Sequence, residues 1–458
     1  MGIYLKIGSK EPKLERDINL FEAIIYGIGI ILGAGIYALI GKVYGSAGGA
    51  SWIAFIVAAV IALMTGLSYA ELSSVFPKSA AEYTYVKEAF PNKKAFQFTV
   101  GWILIFSGFI SIATVALGFA GYLSSWMGAG SLIIIAVVLI AILTVVNFIG
   151  IEESAKLNMV FTFVEAAGVI FIIVIGFMSY GALGPVDFFQ VNSSTAILGI
   201  LSATALIFFA YIGFEDIANI AEETENPTKT IPRALMISIV VTTILYVLVA
   251  LAIASTGVDP DALAVSPNPF AYIAAGLFGS EISMTIISII ALFATANTVL
   301  IMLIVGSRMM YGMSVAGALP KIFSKVHKKT KTPWVAIIFT MVVSFGFVFL
   351  GDIELVARVS VFAIFIVFAI VNFVLIYLRK TQPDLERPFK VKPSIKWLPI
   401  FPLIGVVTCF LMLFTFADAP ADYILILSIE GIVVAIGLGF YFIQKLYRRL
   451  RKKDVLEL

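Results

Sequence analysis

Long apolar runs recur along this chain of 458 residues, and no other feature restricts its fold as tightly. A helix needs about 20 mostly apolar residues to cross ~30 Å of hydrocarbon. Runs that meet or approach this length occupy residues 21–44, 49–72, 101–124, 131–150, 158–178, 195–218, 232–256, 282–305, 333–350, 360–378, 397–417 and 423–444. Each is expected to be helical, because lipid offers a bare backbone group no partner. The reading is an all-α polytopic membrane protein with twelve transmembrane helices. The ninth run is short, and the third allows an earlier start. The first run is too long for a cleavable leader and has no small-residue cleavage pattern behind it. Only 13% of residues are charged and 61% are hydrophobic, against roughly 25% charged in soluble domains. A soluble enzyme, a nucleic-acid binder and a disordered scaffold are thereby excluded. One cysteine (Cys409) and one histidine (His327) exclude a disulfide framework, a Cys/His metal site and bis-histidine haem ligation. No cofactor, metal or catalytic group is expected, and the chain has no ATP-binding loop.

The charges order the runs. Of the 31 Lys and Arg residues, all but Lys42 and Arg358 fall on one side when the runs alternate in direction. The positive-inside rule puts that side in the cytoplasm, with both termini inside, in a multi-pass protein of the cell membrane. Residues 1–20 and 445–458 are then cytoplasmic tails. The basic clusters read first as topology signals, with specific lipid binding as the alternative.

Two runs carry features hostile to a continuous helix. The first reads GIGIILGAGIYALIG over residues 27–41, with Gly33-Ala34-Gly35 near mid-bilayer. Each glycine weakens a helix by about 1 kcal/mol relative to alanine. Unravelled backbone there is tolerated only where it lines a cavity; the alternative is a small-residue packing face. The sixth run reads LIFFAYIGFEDIANIAEE over residues 206–223, with Gly213 followed at once by Glu215 and Asp216. A central acid costs about 2.5–3.5 kcal/mol on insertion scales. Either this helix is interrupted, or the run ends early and the acids sit at the interface. The two runs are five apart, so two five-span units of opposite topology would place them equivalently. Paired interruptions of this kind point to a transport site. Helix N-termini there offer N–H groups to a carboxylate, and freed carbonyls offer acceptors to an ammonium. An α-amino acid fits such a site without a charged side chain.

Four stretches then carry a resemblance: GIGIILGAGIY; YAELSSVFPKSAAEYTYVKEAF at 69–90; FFAYIGFEDIANIAEETENPTKTIPRA at 208–234; and LRKTQPDLERPFKV at 378–391. SRMMYGMSVAGALPKIF after the eighth run is a weaker fifth. Together they resemble the amino acid–polyamine–organocation (APC) superfamily of permeases. The resemblance implies a leucine-transporter-type fold, the architecture with which inverted repeats and discontinuous helices are commonly illustrated. Helices 1 and 6 would be discontinuous, in a 5+5 inverted repeat spanning 21–178 and 195–378, with two accessory helices at 397–444. It implies a substrate carboxylate on the N–H groups of Ala34, Gly35 and Ile36 beside Gly33. The ammonium would meet the carbonyls of Ile31 and Ile212 beside Gly213, with Phe208 or Ala210 as further acceptors. Phe209 matches an aromatic lid, and Glu215 an acid linked to proton or gate coupling. Departures fall at Ser79-Ala80-Ala81, where the family often has Ser-Gly-Gly, and at Ser314-Val315-Ala316-Gly317.

Glu165 lies roughly 9 Å inside the fifth run at 1.5 Å per residue. In proton-coupled relatives a lysine often resembles this position, so the reversed sign bars the lysine mechanism. Glu165 either shuttles a proton, or ligates a cation with Thr295 and Thr298, or faces a polar vestibule without such a role. Glu430 in the twelfth run reads as a helix-interface residue, and Glu22 and Glu71 as gate or capping charges. Several cationic permeases carry an acid shortly after a Gly-Trp pair in the third span. Here Gly101-Trp102 is followed by Ser107 at that spacing, so neutral amino acids are favoured. The functional expectation is secondary active transport of an amino acid by alternating access, coupled to a proton. Exchange, sodium coupling, a cationic substrate and a non-transporting sensor stay open, as does oligomeric state. The partners expected are the small-molecule substrate and the lipid bilayer, with no nucleic acid.

Overall fold

The computed structural model describes residues 18–454 except 79, 129, 150, 192–195, 222–223, 267, 279–280, 351–352 and 415–419. The expectations for the tail before residue 18, for Ser79 and for residues 455–458 lie outside the described residues. The described chain is almost wholly helical. In order the α-helices are α1 Leu20–Leu32, α2 Ala34–Ala47, α3 Ser51–Val75, α4 Ala81–Ala89, α5 Lys94–Met127, α6 Leu132–Ile149, α7 Ile151–Met178, α8 Ala196–Ile207, α9 Pro227–Thr256, α10 Pro260–Val265, α11 Pro269–Phe278, α12 Glu281–Val315, α13 Trp334–Val348, α14 Ile353–Thr381, α15 Ile400–Met412 and α16 Pro420–Asp454. Among the described residues, nine stretches are long and apolar enough to cross a membrane. The first of these, Leu20–Val75, runs through both of the first two expected spans. α13 and α15 are shorter apolar helices at the places of the ninth and eleventh. The third run does start early, at Lys94.

Burial separates core from periphery. In the most apolar window of α5, 89% of residues are buried; in that of α16 the share is 22%. α5 packs on α12 and α14, while α3 and α1 pack on α9. α6 exposes Ile134, Val138, Ile142 and Val145. These lie at steps of three and four residues, one helical face, which suits lipid and not water.

Local chemistry fixes the ends. Asn19 caps α1, its Oδ1 accepting from the Phe21 and Glu22 N–H groups, and the Glu22 carboxylate accepts from the Asn19 N–H at 2.9 Å. Glu22 is thus a capping-box residue. Ala80 precedes α4 with φ +54, the left-handed region that favours glycine. This is one of the positions where the resembled family often carries glycine.

The stretch 378–391 folds over the end of α3. Arg379 bonds both oxygens of the Glu71 carboxylate, with Nε to Oε1 at 2.8 Å, and its Nη2 also donates to the Val391 carbonyl at 2.9 Å. The Val391 N–H returns to Glu71 at 2.8 Å, and Arg387 Nε lies 3.3 Å from it. A two-stranded antiparallel ribbon, β1 Ser394–Ile395 and β2 Leu398–Pro399, follows. Glu71 and Arg379 are buried, so removing one partner strands the others' charge. Glu71→Gln is expected to cost about 3–5 kcal/mol, measured as a lower Tm of the detergent-purified protein. An unchanged Tm contradicts a structural role for this cluster.

Candidate functional site

Both expected interruptions are present. α1 stops at Leu32 and α2 restarts at Ala34, with Gly33 between them at φ −34 and ψ −160. α8 stops at Ile207; a 3-10 turn, Phe208–Tyr211, follows. Ile212 is extended, and Gly213 has φ +118, a conformation that only glycine adopts without strain. Beyond it the chain continues to Ile220 as 3-10 helix, a longer irregularity than the single gap the sequence suggested.

The two breaks lie against each other. A Cβ added to Gly35 would sit 2.5 Å from the Cα of Ala210, and one added to Gly213 would strike Ile30. The hydroxyl of Tyr246, on α9, donates to the Ile31 carbonyl and lies 3.1 Å from the Ala210 carbonyl. One side chain thus bridges the bare carbonyls of both breaks. The Ala34 N–H donates to Thr298 Oγ1 at 2.8 Å, so one of the three N–H groups anticipated for a carboxylate has a protein partner here. Gly35 and Ile36 occupy the first turn of α2, whose N–H groups have no partner within the helix. Beyond the breaks, Ile18 pairs with Thr224 and accepts from the Glu225 N–H at 2.9 Å, tying the two break-bearing segments together.

A narrow cleft of about 40 Å³ runs from the second break. Ser107, Ser111, Ile212, Glu215, Asp216, Met302 and Ile364 are among its walls. Ser107 and Ser111 reach Ser360 of α14, the latter at 2.5 Å between hydroxyls. The Glu215 carboxylate turns back to accept from the Gly213 N–H at 2.9 Å, capping its own broken helix. Ser107, Ile212, Gly213 and Glu215 are therefore neighbours of this cleft, whereas Ala34, Gly35 and Ile36 do not line it. Phe208 stacks toward α14, 4.5 Å from Phe365 between ring centroids, and Phe209 is buried in the 3-10 turn.

Glu165 sits elsewhere, between α7 and α12. Asn297 Nδ2 donates to its Oε1 at 3.1 Å; its Oε2 and Asn297 Oδ1 are buried without hydrogen-bond partners. The Tyr37 hydroxyl donates to the Glu165 carbonyl at 3.2 Å. Thr295 and Thr298 donate to carbonyls of their own helix. The sequence reading missed Tyr246, Asn297, Ser111 and Ser360. Asn297 stands between the two threonines that were noted, and an amide inside an apolar run was the available signal.

Away from the cleft walls, Lys42 and Arg358 converge on Glu354, at 3.7 and 2.8 Å. Arg358 also donates to Ser202 of α8 at 3.3 Å. These contacts join α2, α8 and α14.

Comparison with known proteins follows the same lines. The family described as Amino acid permease matches residues 18–438. The branched-chain amino acid permease BcaP of Bacillus subtilis (strain 168) is 30% identical over 446 residues, covering 93% of each chain. The methylthioribose transporter of the same organism is 29% identical over 427 residues, covering 88% of this chain and 89% of its own. The cystine/glutamate transporter of Homo sapiens is 30% identical over 424 residues, covering 89% and 82%.

The bridge between the breaks is open to test. Tyr246→Phe removes the one hydroxyl hydrogen shared by the buried Ile31 and Ala210 carbonyls and is expected to destabilise the protein by about 1–3 kcal/mol. The Tm of the purified protein measures this; no change contradicts the bridge.

Proposed function

The chain belongs to the amino acid permease family, and from that premise we propose that it carries neutral amino acids across the cell membrane by alternating access. The observation that carries the reading is the contact of the two breaks, Gly35 on Ala210 with Tyr246 between their carbonyls. In this reading the helix N–H groups and bare carbonyls at that contact serve one small zwitterion, whose carboxylate and ammonium need both kinds. In this reading the fold has twelve spans, with inverted repeats at 21–178 and 195–378 and accessory helices at 397–444. Both ends face the cytoplasm, and the cleft beside Glu215 leads to that side. The Lys42–Glu354–Arg358 contacts close the other.

The cleft walls favour an uncharged side chain. Leu104, Ile105, Met302, Val305 and Ile364 supply apolar surface, and Ser107 and Ser111 supply only hydroxyls. Glu215 and Asp216 in the same cleft favour a cationic substrate as the second reading. We assign coupling to Glu165, whose unpartnered oxygen beside Asn297 suits either a proton or a small cation.

Counterflow in proteoliposomes tests the transport reading. Labelled leucine is expected to enter vesicles loaded with leucine or valine and to be ignored by vesicles loaded with arginine. Entry driven by arginine alone would establish the second reading, and no counterflow with any amino acid would overturn both. Glu165→Gln is expected to abolish gradient-driven accumulation while sparing counterflow. Accumulation undiminished under both pH and sodium gradients contradicts the assignment.

A further inference from the structure

Glu82 is a buried acid that the transport reading leaves unused. It lies on α4, between the long helices α3 and α5. The far end of α4 is anchored by Phe90, whose ring centroid is 4.6 Å from that of Tyr377 on α14. Its near end is pinned to the exit of the second break. The Ala81 N–H donates to Asn219 Oδ1 at 3.0 Å, and Asn219 Nδ2 donates to Asp216 at 3.3 Å. α4 is thus a strut between α14 and the segment Phe214–Ile220.

Glu82 follows the pinned residue and is fully buried, with neither carboxylate oxygen hydrogen-bonded. The Tyr69 hydroxyl of α3 and the Tyr85 hydroxyl of α4 are buried without partners too, and their rings meet edge to face at 6.1 Å. The other groups whose charge bears on Glu82 are Asp216 and Glu215. Among the described residues no ion pair joins Glu82 to a basic side chain. Burying an unpaired carboxylate costs far more than burying the neutral acid. Burial, with the charge of Asp216 adding to it, pushes Glu82 up to about 7.

We propose that Glu82 is a proton-binding site, distinct from Glu165, and that its proton holds α4 against the exit of the second break. The proton is exchanged with water in the cleft, where Glu215 and Asp216 stand, and no other reactant is needed. The docked helix binds the proton more tightly than an undocked one, whose Glu82 has the ordinary value of 4.5. Docking is therefore fully favoured by the proton below that value, weakens as pH rises toward about 7, and loses the contribution above it. The site stands on its own geometry; only its use as a gate for substrate rests on the transport reading.

Hydrogen exchange on the full-length protein in nanodiscs, without substrate, tests the site. Wild-type protection of the α4 amides, corrected for intrinsic exchange, is expected to fall by at most about tenfold per pH unit as pH rises toward 7. In Glu82→Gln it is expected to stay high at every pH. Flat wild-type protection, or the same slope in Glu82→Gln, overturns the proposal. If that variant fails to fold, Asp216→Asn replaces it. Removing the neighbouring charge is expected to lower the pH midpoint, and an unmoved midpoint overturns the proposal. The expected pH dependence in a protein with no amino acid flux supports the proton site and counts against the transport reading alone.

Discussion

A backbone N–H or C=O left bare in hydrocarbon costs several kcal/mol, and this chain gathers its barest groups in one place. Gly33 and the segment 208–213 interrupt two helices, and the structure brings the interruptions into contact rather than scattering them. Protein groups meet part of the deficit. Thr298 takes the Ala34 N–H, and Tyr246 serves the carbonyls of Ile31 and Ala210. In the proposed mechanism the remaining helix-end groups are left for an exchangeable ligand. Continuous helices in both places would leave a tightly packed bundle with nowhere to hold a polar solute.

The contacts around the breaks give the molecule two unlike ends. On one side Glu354 gathers Lys42 and Arg358 and ties α2, α8 and α14 together. On the other a cleft runs from Ile212 to Asp216, and the break-bearing segments are joined further out by Ile18 and Thr224. In the proposed mechanism this asymmetry is one of two alternating states, and α4 is placed to respond to it. The Glu71–Arg379–Arg387 cluster, buried and multiply bonded, belongs instead to the rigid frame.

Much of this was legible in the residues. Apolar run length and the one-sided distribution of Lys and Arg announced a helical membrane protein, and Gly33 and Gly213 marked the breaks, because glycine among apolar residues weakens a helix wherever it stands. What pattern could not convey was which neighbours complete the site. Tyr246, on α9, lies far from the first break in sequence and only packing brings it there, just as only packing brings Asn297 of α12 to Glu165. Thr298, a candidate cation ligand by sequence, accepts from the Ala34 N–H in the structure, and hydroxyl chemistry suits both roles. Glu82 was passed over because an acid outside the apolar runs normally meets water. Its burial arises from the packing of α4 on α5 and α14, with Tyr85 against Tyr69, which no local periodicity encodes.

Binding of leucine and its end-blocked analogues tests the central claim most directly. Calorimetry on the purified protein compares leucine with leucinol, which lacks the carboxylate, and with N-acetyl-leucine, which lacks the ammonium. If the paired breaks grip both ends of a zwitterion, leucine binds and each analogue loses at least about tenfold in affinity, the equivalent of one hydrogen bond to a charged group. Equal affinity for all three would contradict the account.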